Sequence, residues 1–366
     1  MNVRLILASA ILVTASLGGN ASRAEAPRGT GAGSCQARAG LTPICNVPAP
    51  EDIEPTPDGK ALFVSEVGIS LDQQGGLVFK PGHLSIIDIA TGQRRVLFPS
   101  SVADNGQPGW GDPACKPAGP AFSPGGLHLS KRTDGAWQLL AVNYAPHPSV
   151  EMFEVVGTPA HAELRWRGCV GFTDAVMLND VAALPSGGFV TTVSKFGNET
   201  LIGALTKSEQ GLGTGFVLRW RPDAGTDILP GSIMPFANGI QVSADGKSVF
   251  VASTHSKGEV RKIDIATGGL LGTVSIARPD NLAWNSDGKL IVGTGAAVGA
   301  ACQGRDDCPF RYDIIAIDPT TMTSTTVRSL ESVKMVDAVS VAAEAGSSYF
   351  LGSATGDRIL RISRKQ

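Results

Sequence analysis

The sequence predicts an all-β protein, a six-bladed β-propeller, and three observations carry that expectation. Glycine is abundant, at 45 of 366 residues, while charged residues make up only 17%. That balance suits many short strands joined by tight turns rather than helical bundles. A strand–turn–strand unit recurs along the chain, and the position that opens it is held almost throughout by Asp, Asn or Glu. The hydrophobic share, 42%, supports a sizeable core. Lys plus Arg number 31 against 33 Asp plus Glu, a net charge of −2, so no basic excess exists to neutralise phosphates, which argues against a nucleic-acid binder.

In chain order, residues Met1–Gly19 (MNVRLILASAILVTASLGG) carry one Arg and then an apolar run with small residues. This is the pattern of an export signal, too short for a permanent membrane span. Small residues at Ala21, Ala24 and Ala26 offer cleavage positions, the last disfavoured by Pro27. Residues 1–26 are therefore read as a cleaved signal peptide, and the mature chain as exported to the periplasm or beyond with no stable span. The competing reading is an N-terminal anchor. Residues 27–48 form a segment whose stretch around Leu41–Val47 supplies a closing strand, and 49–366 form the propeller.

Four units share one pattern: EDIEPTPDGKALFVSE from Glu51, NDVAALPSGGFVTTVS from Asn179, NGIQVSADGKSVFVAS from Asn238 and DNLAWNSDGKLIVGTG from Asp280. Weaker copies run GGLHLSKRTDGAWQLLAVN from Gly125 and DAVSVAAEAGSSYFLGS from Asp337. In the strong copies a D-G or S-G turn follows the opening residue, and an apolar strand follows the turn. The later part of each unit recurs too, as IIDIATGQ at Ile86 and KIDIATGG at Lys262. Four short strands repeating at roughly 40–60 residues describe a propeller blade. The last unit has only three clear strands, so a strand from the N-terminal segment completes it and removes a free edge. Two separate β-sandwiches are the alternative, but no Pro/Gly-rich linker divides the chain.

Six cysteines follow the signal: Cys35, Cys45, Cys115, Cys169, Cys302 and Cys308. An even number in an exported chain reads as disulfides, although sequence does not fix their connectivity. Proximity favours Cys35–Cys45 and Cys302–Cys308 and leaves Cys115–Cys169. No Cys/His spacing suits zinc.

The opening residues of the inner strands are Glu51, Asn179, Asn238, Asp280 with Asn281, and Asp337. Oxygen donors converging from several blades suit a hard cation, and Ca²⁺ takes six to eight of them. Several carboxylates gathered in a channel repel one another unless a cation joins them. Asx capping of turns is the plain alternative. On this register the fold class includes a calcium site in the central channel.

The segments E-D-I-E at Glu51, L-N-D-V at Leu178, F-A-N-G-I at Phe236 and D-N-L at Asp280 resemble the paraoxonase/arylesterase family. That family stands beside the gluconolactonase (senescence marker protein) and strictosidine synthase-like propellers, and the resemblance runs from about Glu51 to Ile362. It implies a catalytic calcium held by Glu51, Asn179, Asn238, Asp280 and Asn281. It also implies a second, structural calcium on Asp52 and Asp180 with a backbone carbonyl of the second blade. The activity implied is hydrolysis of small-molecule lactones or activated aryl esters, the metal acting as Lewis acid and a base activating water.

One departure stands out. Two His positions of that family fall here on Gly125 and Tyr144. His128, three residues along the strand, is the nearest replacement, although side-chain alternation turns it away from Gly125. Asp337 is then the candidate base or a further ligand, and Tyr144 a hydrogen-bond donor to substrate. His255 falls on a loop near the mouth, while His83, His147 and His161 have no register argument. Phe196–Thr214 is a long insertion that reads as a lid or substrate wall, and Ala296–Phe310 is a second candidate loop. The alternative function is non-hydrolytic, either a strictosidine synthase-like lyase or a calcium-stabilised scaffold that binds a ligand or protein.

Overall fold

The computed structural model describes residues 35–72, 76–99, 106–158, 161–299, 308–336 and 338–365. Their strands form six four-stranded antiparallel sheets, the blades of a propeller. β1 (Leu41–Cys45) comes first in the chain but belongs to the last blade. From the centre outward, the first blade is β2 (Pro50–Pro55), β3 (Ala61–Leu71), β4 (Leu77–Asp88) and β5 (Arg94–Phe98). The second is β6 (Pro124–Lys131), β7 (Trp137–Asn143), β8 (Ser149–Val156) and β9 (Glu163–Gly171). The third is β10 (Val176–Ala183), β11 (Phe189–Phe196), β12 (Phe216–Arg221) and β13 (Gly225–Ile228). The fourth is β14 (Ala237–Val242), β15 (Ser248–Ser253), β16 (Glu259–Asp264) and β17 (Leu270–Ser275). The fifth is β18 (Ala283–Trp284), β19 (Leu290–Ala297), β20 (Pro309–Asp318) and β21 (Thr323–Val333). β22 (Val341–Ala345), β23 (Ser348–Gly352), β24 (Arg358–Ser363) and β1 make the sixth. One α-helix, α1 (Leu201–Glu209), interrupts the third blade.

Each blade buries both faces of its sheet, and one apolar cluster fills each gap between blades. Phe63 and Leu84 meet Phe122 and Phe153 between the first and second. Val190 and Val217 meet Ile240 and Val251 between the third and fourth. Ile53 and Leu62 meet Val341 and Phe350 between the sixth and first, closing the circle. Alternate residues of one strand serve different gaps: Val249 and Val251 of β15 face one way, Phe250 and Ala252 the other. The second strands therefore read as largely apolar runs such as SVFVAS and SYFLG, the signature of strands buried on two sides.

Ring closure rests on β1. It pairs antiparallel with β24 from Leu41↔Ile362 to Cys45↔Arg358. Cys35–Cys45 staples the chain beside it, and Cys115–Cys169 ties the loop before β6 to β9. The pairing expected of Cys302 with Cys308 falls partly on residues outside those described. No helix among the described residues is long and apolar enough to cross a membrane.

Leu41 is fully buried in the cluster between the fifth and sixth blades, with Ile291 and Leu360. Leu41→Ala is expected to lower stability by about 2–4 kcal/mol through the lost contacts and the cavity left behind. Urea unfolding checks this, and a change within about 0.5 kcal/mol, the ordinary surface range, would show that β1 does not close the ring.

Candidate metal centre and cavity

The innermost strands of the first four blades lose register at one level. The shifts fall between Pro50 and Asp52, Pro124 and Leu127, Leu178 and Val181, and Ala237 and Ile240. A β-bulge frees side chains from the ladder and re-aims them, which is why such bulges gather beside sites. Glu51, Asn179 and Asn238 stand on three of these bulges, and Gly125 on the fourth. In the fifth blade Asp280 and Asn281 precede β18, and in the sixth Ser340 precedes β22.

The residues beside these positions clip one blade to the next. Asp52 accepts the N–H of Ile53 (2.8 Å) and, across the blade boundary, that of Leu127 (2.7 Å). Asp180 repeats the arrangement with Val181 and Ile240, both at 2.7 Å. The strands approach so closely that side chains are excluded between them. A Cβ on Gly126 would lie 2.3 Å from Asp180 Oδ1, and one on Gly239 would lie 2.4 Å from the Asp280 carbonyl oxygen. Between the sixth and first blades Ser340 Oγ donates to the Glu51 carbonyl (2.6 Å), and from the fifth blade Asn281 Nδ2 reaches across to donate to Glu51 Oε1 (3.0 Å).

What remains unsatisfied is a set of oxygens. Glu51 Oε2, Asn179 Oδ1, Asn238 Oδ1 and Asn281 Oδ1 are buried without a hydrogen-bond partner, where interiors ordinarily pair such atoms. Glu51, Asp52, Asp180 and Asp280 share the same small volume. Burial, then Asp52 and Asp280, push the Glu51 carboxyl well above the carboxylate range. Burial, then Asp52, does the same to Asp180. Burial lifts Asp280 to about 7 and Asp52 to about 6. Among the described residues no Lys, Arg or His offsets any of the four.

These residues fit a hard cation. Glu51, Asn179, Asn238, Asp280 and Asn281 offer only carboxylate and amide oxygens, the donor chemistry that Ca²⁺ takes. No group of three or more His, Cys, Asp and Glu able to hold a metal occurs among the described residues; three of the five side chains named here are amides. Asp52 and Asp180 differ from the five, because each of their carboxylate oxygens already accepts a backbone N–H and none is orphaned.

Glu51, Asn238, Asp280 and Ser340 border a cavity of about 410 Å³. Its other walls are mostly apolar, among them Val67, Ile69, Phe79, Met177 and Phe236, with Thr254, Ser256, Glu209 and Arg278 also on the lining. Helix α1 supplies a wall from within the insertion at Phe196–Thr214, through Leu201, Ile202 and Leu205. Thr200 starts the helix by accepting the Gly203 N–H (3.0 Å), a capping bond that satisfies a free donor. Leu201 and Ala204 bury against Phe236. At the far end Glu209 meets Arg278 (3.3 Å) and accepts the Ser256 N–H.

Tyr144 occupies the space over Gly125. A Cβ on residue 125 would stand 2.4 Å from the Tyr144 hydroxyl, so a small residue at one position and a long one at the other form a complementary pair. The ring stacks on Phe79 at 4.4 Å. Burial, then Glu51, Asp180 and other carboxylates, raise its phenol well above the usual value, which keeps the proton on oxygen.

His128 lies elsewhere. It borders a second cavity at the opposite end of the inner strands, 3.8 Å from Glu54, and does not join the Glu51 group. His255 stands beside Glu209 and Arg278, its carbonyl accepting the Arg278 N–H (2.9 Å). His83 pairs with Glu66 at 3.9 Å, and the exposed His147 with Asp174 at 3.0 Å. Asp337 and residues 300–307 of the second loop lie outside the described residues. Ser340 was not anticipated. Ala342 pairs with Leu351 as Ile53 pairs with Val64 and Ile240 with Val251, so Ser340 takes the register position of Glu51 and Asn238. The F-V and F-L dipeptides of the second strands carry that register in the sequence.

Comparison of the chain with protein-family models and with curated proteins finds no match in either.

Gly125→Ala is expected to destabilise the fold by about 1–3 kcal/mol, the ordinary cost of overpacking. In a Tyr144→Ala background the same change should cost much less. A double-mutant cycle by thermal unfolding measures the difference, and an equal cost in both backgrounds would show that the two residues do not share this space.

Proposed function

We propose that the protein is an exported, calcium-dependent hydrolase of lactones or aryl esters. The observation that carries the reading is the set of four orphaned, buried oxygens, from Glu51, Asn179, Asn238 and Asn281, beside the apolar cavity that Glu51 and Asn238 border with Asp280. The resemblance of E-D-I-E, L-N-D-V, F-A-N-G-I and D-N-L to the paraoxonase/arylesterase family adds to it. Export is supported by the apolar N-terminal run and by the Cys35–Cys45 and Cys115–Cys169 disulfides.

Glu51, Asn179, Asn238, Asp280 and Asn281 would hold the ion, and calcium bound there would supply Lewis-acid polarisation of an ester carbonyl. The protein's own groups do the rest. Phe79, Phe236 and the α1 leucines seat the acyl or aryl part and keep bulk water from it. The Tyr144 hydroxyl, held protonated, donates a hydrogen bond to a substrate oxygen. Asp337, outside the described residues, is on the sequence reading either the base or a further ligand of the ion.

Hydrolysis of a panel of small lactones and aryl esters is expected with calcium present, to be lost in chelator and restored by calcium. Asn238→Ala should weaken calcium binding on the order of tenfold or more, read by calorimetry. Calcium-independent turnover, or an affinity unchanged in Asn238→Ala, would refute the reading. Asp337→Asn should abolish turnover while leaving calcium affinity in place, and undiminished turnover would remove Asp337 from the mechanism.

A second reading, a calcium-stabilised propeller that binds a ligand without turning it over, draws on Gly125 and Tyr144, which stand where the resembled family has its His pair. Calcium binding with no turnover of any panel member would favour it.

A further inference from the structure

At the far end of the inner strands, where each turns back into its neighbour, a cavity of about 940 Å³ opens beneath the second to fifth blades. The hairpins of the third and fourth blades border it, through Pro185–Gly188 and Ser243–Asp245. No member of the Glu51 group borders it.

Its charge is opposite to that of the first site. Lys131, Arg132 and Lys262 line it against a single carboxylate, Asp245. That carboxylate is engaged in its own turn, accepting the Ser243 hydroxyl (2.6 Å) and the Lys247 N–H (3.1 Å). Arg132 is held rigidly. Its guanidinium lies 3.9 Å over the Trp110 ring, and it donates to the Gly109 carbonyl (3.1 Å), to Gln138 (3.3 Å) and to Asp134 (3.0 Å). Of the five N–H donors of a guanidinium, two stay free, and a planar cation already fixed in place loses little entropy on binding an anion. Deeper in, His128 Nδ1 is buried without a partner, with Glu54 at 3.8 Å. Burial holds the imidazole near a pKa of about 4, so it is neutral and offers a hydrogen bond rather than a charge. Apolar walls complete the cavity, including Leu140, Met152, Phe250 and Trp284.

We propose that this cavity is a second ligand site, for an amphipathic organic anion: a carboxylate, sulfonate or phosphate-ester group met by Arg132, Lys131 and Lys262, with an apolar body against Phe250 and Trp284. The site is independent of any hydrolysis at the other mouth.

The test is a fluorescence titration of the whole protein with 8-anilinonaphthalene-1-sulfonate, with neutral N-phenyl-1-naphthylamine as comparator. The sulfonate is expected to bind saturably, and Arg132→Gln/Lys262→Gln to weaken it about tenfold or more while neutral-amine binding stays unchanged. Lys131→Gln, a substitution at an exposed residue that leaves the melting temperature unchanged, should alone weaken the sulfonate a few-fold. Benzoate or phenyl phosphate should displace the probe from the native protein, the stronger competitor identifying the head group. Equal sulfonate affinity in native and substituted proteins, equal losses for the neutral amine, or displacement by neither competitor would overturn the proposal.

Discussion

Six sheets that bury both faces must meet edge to edge at the centre, and the clips made there by Asp52 and Asp180 set the geometry of everything around them. Each carboxylate bridges two blades by accepting one N–H from its own strand and one from the next. A hydrogen bond to a charged group contributes about 1.5–3 kcal/mol, while taking a carboxylate out of water costs several. The clips therefore specify the approach of the blades more than they stabilise it. Gly126 and Gly239 follow directly, because the neighbouring strand passes through the space a side chain would need.

The same close approach explains why the ring collects orphaned oxygens. Strands clipped at this level shed their ladder register in a bulge, and the bulged residues turn toward a centre where the backbone N–H groups are already taken. Glu51 Oε2 and the amide oxygens of Asn179, Asn238 and Asn281 are left without a donor. Amides are the informative members. A cluster of acids alone could relax by protonation, but an amide oxygen has no such escape, so three unpartnered amide oxygens beside Glu51 and Asp280 argue for a cation more strongly than further carboxylates would.

The fold was legible because the repeat is in the covalent sequence: turns recur at fixed distance from the opening residue, and the second strands are predominantly apolar. The closing strand at Leu41–Cys45 was legible as the piece the sixth blade lacked. The sixth blade also shows where such counting fails. Seven residues separate Glu51 from Asp58, Asn238 from Asp245 and Asp280 from Asp287, and the same spacing before Glu344 points to Asp337. Yet Ala345 pairs directly with Ser348 in a tight hairpin, whereas the last pair of β14 and β15 is Val242 with Val249. A shorter turn shifts the strand, and Ser340 arrives where Asp337 was expected. His128 illustrates the other limit. Three residues beyond Gly125 is about 10 Å of strand, enough to carry a side chain from one mouth toward the other, and composition gives no warning of it. Long-range partners such as Glu209 with Arg278 leave no local signal at all.

A blade that spends both faces on packing has only the ends of its inner strand for chemistry. Here the two ends differ in kind. The bulged end gathers acceptors and buried acids under an apolar roof formed by α1, and the hairpin end gathers Lys131, Arg132 and Lys262 around a broader opening. In a chain whose charges nearly cancel, 31 against 33, this separation is a matter of placement rather than composition. It favours a cation at one mouth and disfavours it at the other. The acids stand at the starts of the inner strands of the first, third and fifth blades, whereas Lys131 and Arg132 lie at the end of β6 and Lys262 on β16, so the ligands of the two mouths need not be related.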